Sequence, residues 1–413
     1  MRFCHVTTYY PPHNFGGDGI LVQQICEGLA RRGHEVDVVH CVDAYHLKGA
    51  AVTHTITDPP NIRRHSLRSS LGLLSPLITQ QTGRPGLKHH KLEQILSEHY
   101  DVVHFHNISL VGGPGVLKLS RAPVTLYTTH DHWLVCPAHV LWKYRSRPCD
   151  RPQCFSCSIV SGIPPQLWRY TKLLERSLEH VDVILAPSQF TADRHRDSGI
   201  SRPIKVLNSF SRLAPDDGVS EFGYRSDKPL FAYAGRLESS KGLEQLIEAF
   251  SQRPDYDLLI AGDGSLAEEL KAHCIDYPNI RMLGTLISAH LAALFRDADA
   301  VVSPTRGPEA FPLVNIEAMS CGTPVIARRS GGSLESIERT GGGLTYDEPE
   351  DLLPLLDRMA GDPELRKSLA AKAIAGYREH YSEERWMEQY FELIGDFRNT
   401  KGRVCADYSE NDR

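Results

Sequence analysis

Two glutamates, Glu309 and Glu317, stand with seven residues between them in the segment PTRGPEAFPLVNIEAMSCGTPVIA, residues 304–327. A carboxylate only accepts hydrogen bonds and takes two donors, which suits the hydroxyls of a sugar. Pro312 lies where a helix would start, a position at which its missing N–H does no harm. Glu317 then falls about five residues, or one and a half turns, into that helix. The N–H groups and partial positive charge of a helix start suit a diphosphate. Two Glu at this spacing also describe a solvated helix face. The strand before them, the Pro at the helix start and the Gly-Thr-Pro strand entry after them favour a site.

A second group is GRLESSKG, residues 235–242, where a strand ends at Gly235 and Arg236 and Lys241 share the loop leading to a helix. Arg grips phosphate bidentately and Lys supplies a point charge. Two exposed basic side chains are the plain alternative; the place at the carboxyl end of a strand argues for phosphate. In AGDGS, residues 261–265, Gly262 and Gly264 follow a strand and precede a helix, so they line a nucleotide pocket or simply make a turn.

Cys136, Cys149, Cys154 and Cys157 give the spacing C-x12-C-x4-C-x2-C. Four thiolates so close suit tetrahedral zinc, with about 2.3 Å to each sulfur. Pro137, Pro148 and Pro152 and the charges of Lys143, Arg145 and Arg147 describe a loop with little core of its own, which a metal could order. An iron–sulfur cluster takes the same four ligands, and ordinary reduced thiols are the third reading.

The elements that hold these residues alternate. Apolar runs at 2–7, 35–39, 101–106, 124–128, 183–186 and 204–207 read as strands, with a helix over 20–29 that ends at Gly33. The polar stretch 211–228 reads as a linker. The pattern restarts with strands at 230–234, 257–261, 300–303 and 324–327 and a helix at 243–250. Such alternation implies parallel sheets and two α/β domains, 1–210 (with the Cys-rich loop 136–157) and 229–380. A C-terminal helix over 381–400 and a polar, disordered tail from 401 follow. Doubly wound sheets bind ligands at the carboxyl ends of their strands.

The net charge of −5 hides an asymmetry: residues 1–210 hold 23 Lys+Arg against 16 Asp+Glu, the remainder 23 against 35, and 17 of the 20 histidines lie in the first half. A basic half suits an anionic partner, such as phospholipid headgroups or a lipid-linked diphosphate; a mildly charged solvated surface is the plain alternative. Segment 62–78 mixes Arg63, Arg64, His65 and Arg68 with Leu67, Leu71, Leu73, Leu74, Leu77 and Ile78, as at a membrane edge or as a buried helix with a polar rim. No window reaches the about 18 apolar residues of a membrane span, and the N-terminus lacks the apolar core of a signal peptide. The expected location is the cytoplasm, with peripheral attachment to the inner membrane face as an extension. Nothing points to nucleic acid.

Taken together, GRLESSKGL, LLIAGDG and the Glu-x7-Glu segment running into EAMSCGTPVIA resemble the donor domain of the retaining glycosyltransferases of family 4. More loosely, TTYYPPHNFGGDG, LARRGHEVDVV, DVVHFHN and TTHDHW are similar to that family's acceptor domain. The resemblance covers about residues 1–390. It implies the GT-B fold, two Rossmann-like doubly wound parallel-sheet domains facing a cleft. It also implies transfer of a sugar from a UDP- or GDP-type donor to a glycan or lipid-linked acceptor, in cell-surface polysaccharide or glycoconjugate synthesis. No Asp-x-Asp metal motif lies within these donor-domain segments, and protein cations can do that work, so catalysis without a divalent metal is expected. Arg236 and Lys241 would bind the diphosphate, Glu309 the transferred sugar and Glu317 the ribose. Gly16 and Gly17 would let their loop approach phosphate and sugar, and His130 would sit by the sugar. A histidine here is also read as a hydrogen-bonded core residue. Ala310 stands where the family commonly has Gly. Pro312 has no amide to give, so the phosphate falls to neighbours such as Leu313 and Val314. The rival reading is a catalytically silent sugar-nucleotide-binding partner, which would be expected to have lost Lys241 or Glu309. A nicotinamide dehydrogenase would need Gly-x-Gly-x-x-Gly after the first strand, which is not there.

Overall fold

The computed structural model describes residues 1–47, 56–213, 222–224 and 226–410, with side chains as far as Arg398. The expected linker therefore lies partly outside the described residues, as does part of the loop between Ala44 and His99. Two compact units account for the chain: Met1–His139 with Gln153–Leu207 and Trp386–Arg413, and Val140–Pro152 with Asn208–Arg385.

The first unit carries strands β1 (Arg2–Val6), β2 (Glu35–Cys41), β3 (Ile62–Leu67), β4 (Val102–Phe105) and β5 (Val124–Thr128). A short hairpin, β6 (Trp142–Lys143) and β7 (Arg147–Pro148), interrupts it before β8 (Val183–Ala186) and β9 (Ile204–Val206). Its seven-stranded parallel sheet runs β3-β2-β1-β4-β5-β8-β9. The second unit has β10 (Leu230–Ala234), β11 (Asp257–Ala261), β12 (Ile280–Gly284), β13 (Ala300–Ser303), β14 (Val325–Arg328) and β15 (Gly343–Tyr346), in the parallel order β12-β11-β10-β13-β14-β15. Central strands are covered on both faces and so are apolar along their length. Phe231, Leu258, Leu259, Ile260 and Val301 are all fully buried, each contributing about 2 kcal/mol by leaving water.

In each unit the strand order reverses once, between β1 and β4 and between β10 and β13. At such a reversal, loops leave in opposite directions and open a crevice at the carboxyl ends. The loops after these four strands carry Gly16–Gly17, Asn107, Arg236–Lys241 and Glu309.

Four features differ from the sequence expectation. Residues 62–67 are an edge strand, not part of a helix. Their polar side chains serve Asp37 on β2, which is reached by Arg63, by Arg2 Nη2 at 2.8 Å and by His65 Nε2 at 2.9 Å. Burial alone would raise the Asp37 carboxyl, but these three partners outweigh it and hold it well below the usual range. A helix, Leu74–Thr82, follows separately. Second, residues 140–152 of the Cys-rich loop belong to the second unit, where Arg306 lies over the Trp142 ring at 5.5 Å and Ser239 Oγ donates to the Arg145 carbonyl at 3.4 Å. Third, the C-terminal helix spans Glu383–Glu410, running through the stretch expected to be a disordered tail; residues 401–410 hold no proline and one glycine, so little interrupts it. Fourth, from Trp386 onward this helix is part of the first unit, with Tyr390 hydroxyl 2.9 Å from His104 Nδ1.

Candidate functional site

In the second unit, Lys241 ends a short turn, Ser239–Lys241, and Gly242 starts the helix Leu243–Ser251 behind it. The Lys241 ammonium closes on the Glu309 carboxylate as a short ion pair, with both side chains largely buried. Burial would raise the Glu309 carboxyl, yet the charge and hydrogen bond of Lys241, the Thr305 hydroxyl and the charge of Arg236 together hold it below its ordinary value. Arg236 is exposed and makes no ion pair or side-chain hydrogen bond among the described residues.

Neighbouring backbone locks this pair in place. The amides of Arg306 and Gly307 both donate to the Ser240 carbonyl, at 2.8 and 2.9 Å, and the Gly332 amide donates to the Glu309 carbonyl at 2.8 Å. Gly262 and Gly264 act by their lack of a side chain. A Cβ on Gly262 would meet the Gly235 carbonyl oxygen at 1.9 Å, and one on Gly264 the Leu237 oxygen at 2.5 Å. They let the β11 loop lie flat against the loop that bears Arg236.

The helix Leu313–Ser320 begins after Pro312 with no side-chain cap. The amides of Leu313 and Val314 are thus among the unsatisfied first-turn donors of an α-helix. Glu317, the fifth residue of that helix, is half-buried, and its carboxylate takes no hydrogen bond among the described residues. Burial pushes its carboxyl up to about 7. A carboxyl kept from solvent without a protein donor is ready to accept hydroxyls from a ligand.

In the first unit, Gly16 at φ 88° precedes the helix Gly17–Arg31, and no side chain caps that helix either. The TTHDHW stretch resolves into three different roles. His132 is buried beside His195 and Phe190. Asp131 is a loop clasp: its carboxylate meets His139 Nδ1 at 2.7 Å and accepts the Trp133 amide at 2.8 Å. Burial raises Asp131, but those two contacts prevail and hold it at about 2. His130 is half-buried, with Nε2 2.8 Å from His106 Nδ1. His106 is fully buried, and its Nε2 lies 2.9 Å from His5 Nδ1. His5 on β1 pairs in register with His104 on β4, and His106 follows two residues on, so the pleat sets all three on one face. This constellation was not singled out in the sequence; its signal is the i, i+2 pair of histidines in DVVHFHN opposite a histidine on the neighbouring strand.

Among the described residues, one set of three histidine, cysteine or acidic side chains brings its ligand atoms within 4.8 Å of one another: His5, His104 and His106. Cys136, Cys149, Cys154 and Cys157 form no such set and no disulfide. Burial and the nearby sulfurs of Cys136 and Cys157 raise the Cys154 thiol, whereas Cys149 lies in the segment grouped with the second unit.

Two open α/β sheets, each with its loops gathered at a reversal of strand order, define the class. Over 96% of this chain and 98% of the other, the structure superposes on sucrose-phosphate synthase from Thermosynechococcus elongatus with a TM-score of 0.75 at 20% identity. On Anabaena HepE in complex with UDP-glucose the TM-score is 0.67 at 18% identity, over 96% of this chain and 100% of that one. The fold is GT-B. Residues 15–209 match the family described as Glycosyltransferase Family 4, and 219–375 that described as Glycosyl transferases group 1. Similar sequences include an uncharacterized glycosyltransferase of Methanocaldococcus jannaschii, 25% identical over 92% of this chain and 95% of that one. Another is a D-inositol 3-phosphate glycosyltransferase of Actinosynnema mirum, 26% identical over 93% of each. The chain belongs to the family 4-type glycosyltransferases and is an enzyme of that class.

Proposed function

We propose that the protein is a retaining glycosyltransferase that uses a nucleotide-diphosphate sugar and delivers the sugar to a glycan or lipid-linked acceptor. The observation that carries this reading is the Lys241–Glu309 pair at the carboxyl ends of β10 and β13, with exposed Arg236 on the same loop as Lys241. The bound UDP-glucose of the Anabaena neighbour supports a donor of UDP type. Arg236, Lys241 and the amides of Leu313 and Val314 stabilise charge as it develops on the departing diphosphate, usually the largest contribution to catalysis. Glu309 takes hydroxyls of the transferred sugar and Glu317 those of the ribose; the family resemblance assigns His130 to a hydroxyl of the sugar. Gly16 and Gly17 let the loop after β1 approach the phosphate. A departing phosphate oxygen takes the acceptor's proton, so no separate base is required and the anomeric configuration is kept. The cations of the site do the work of a divalent metal.

A lipid-linked acceptor has support in exposed apolar side chains. Leu71, Leu73, Leu74 and Leu77 are exposed at the start of Leu74–Thr82, and Phe155, Ile159, Leu167 and Tyr170 on the segment whose Trp168 and Pro164 bond to Gln80 of that same helix. An apolar surface of this kind near Arg68 fits peripheral attachment to an anionic membrane. Among the described residues no helix is long and apolar enough to cross one. A structural zinc on Cys136, Cys149, Cys154 and Cys157 rests on their spacing alone, and no step of the reaction passes through it.

The test is a panel of UDP- and GDP-sugars, read first as protection against thermal unfolding and then as donor hydrolysis. Turnover of one donor supports the enzyme; protection without any turnover, even with acceptors present, would make it a silent binding partner.

A further inference from the structure

Three imidazoles link end to end from the interior of the first unit to its half-buried His130. His5 Nδ1 meets His106 Nε2 at 2.9 Å, and His106 Nδ1 meets His130 Nε2 at 2.8 Å. His104 lies against His106, ring centroids 4.0 Å apart, with its own nitrogens committed to the Thr128 hydroxyl at 2.7 Å and the Tyr390 hydroxyl at 2.9 Å. A metal among these rings would have to displace those hydrogen bonds. Burial keeps His5, His104 and His106 neutral, their values far below that of a free imidazole.

A neutral imidazole has one N–H and one lone pair. A chain of three therefore has two proton registers. In one, each ring donates toward His130, which is left with its proton on Nδ1. In the other, each donates toward His5, whose Nε2 then carries a proton. His5 Nε2 is buried and has no hydrogen-bond partner among the described residues. An orphaned buried N–H is rare in folded proteins, so that nitrogen is better left as a bare lone pair. Burial lowers His130, opposed by the charges of Asp18 and Asp131, so it too is a neutral ring with one N–H and one lone pair.

We propose that His106, held in orientation by His5, is a positioning residue that locks His130 in the tautomer protonated at Nδ1. His130 thus offers the substrate a hydrogen-bond donor and does not act as a base. The tautomer stands on the hydrogen-bond chain; its use on substrate rests on the assignment of His130 to the transferred sugar.

Two-bond proton–nitrogen NMR on protein labelled at histidine with nitrogen-15 reads the tautomer without substrate, the His130 signal being the one lost in His130→Gln. The wild type is expected to show the Nδ1-protonated form near neutral pH. An Nε2-protonated His130 overturns the proposal without any variant. In His106→Phe, His130 should relax to a mixture rich in the Nε2 form, with kcat down about tenfold and the donor KM within about threefold. A folded His106→Phe protein with an unchanged His130 tautomer overturns it equally. If the wild type shows the Nδ1 form while His130→Gln retains full activity, the tautomer lock is upheld and the assignment of His130 to the sugar is what fails.

Discussion

The two units hold their polar groups by opposite means. The second unit sets a cation against an anion, Lys241 against Glu309, with Arg236 exposed nearby. The first unit uses neutral rings, His5, His106 and His130, whose only bookkeeping is which nitrogen bears the proton. Charge is strong and long in reach, so a charged site tolerates small errors of geometry and suits a migrating diphosphate charge. A neutral hydrogen-bond chain is short in reach and directional, and suits the orientation of one hydroxyl. On the proposed function, stabilising charge and fixing direction fall to different folds of one chain.

The sharpest way to break this contrast is to remove the charges. Lys241→Ala and Glu309→Ala should each lower kcat/KM by about a hundredfold or more, as for loss of a group aimed at transition-state charge. The double variant should lose much less than the product of the two, because the residues touch. Steady-state kinetics with soluble, folded variants checks both, and near-normal turnover in either single variant would remove the pair from the site.

The next test uses pH. Glu317 is raised to about 7 in the free protein, and its ionised form is the one that accepts two hydroxyls. Donor affinity should therefore be full above pH 7 and fall about tenfold per unit below it. Glu317→Gln should bind more weakly and with a flat profile across the same range. Calorimetric titration between pH 6 and 8 would decide, since a flat wild-type curve would show that Glu317 does not meet the ribose. The imidazole chain should add no slope in this window, as His5 and His106 stay neutral throughout it.

His130→Phe should cost about tenfold in kcat, the scale of one directed hydrogen bond, well short of the charge variants. An effect as large as that of Lys241→Ala would mean that the two units do not divide the work as described. Smallest of all, transfer should persist in excess EDTA assayed within minutes, since on the proposed reading Arg236 and Lys241 do the work of a divalent metal; complete dependence on added magnesium or manganese would refute this. Elemental analysis of chelator-free protein should read about one zinc per chain if the cysteine spacing is a metal site, and zinc well below that would leave ordinary thiols.

Legibility in the sequence follows the same divide. Strands buried on both faces, such as Leu230–Ala234 and Asp257–Ala261, stand out as unbroken apolar runs and fall where expected. The edge strand Ile62–Leu67 does not, because Arg63, Arg64 and His65 put charge in its middle. Strands Ile280–Gly284, with Arg281, and Gly343–Tyr346, with Gly343 and Thr345, are also edges, only partly buried, and neither gives an unbroken apolar run. Lys241 and Glu309 are visible as residue types at strand ends. The link from His130 to His5 is not, since it depends on β1, β4 and the loop after β5 lying side by side, and no spacing along the chain encodes it. Nor does the cysteine spacing reveal that 140–152 packs with the second unit, which depends on Trp142 finding Arg306.

The end of the chain is built into its beginning. Tyr390 hydrogen-bonds His104, Phe391 packs on Phe3 at 6.4 Å, and Arg398 faces Asp101 at 3.6 Å. A ribosome therefore releases the first α/β unit incomplete. While the second unit is being translated, Phe3 and His104 wait without the helix that covers them, and that apolar face needs shelter from aggregation during synthesis. A stop codon or a protease cut before Trp386 would strike the unit at the opposite end of the gene.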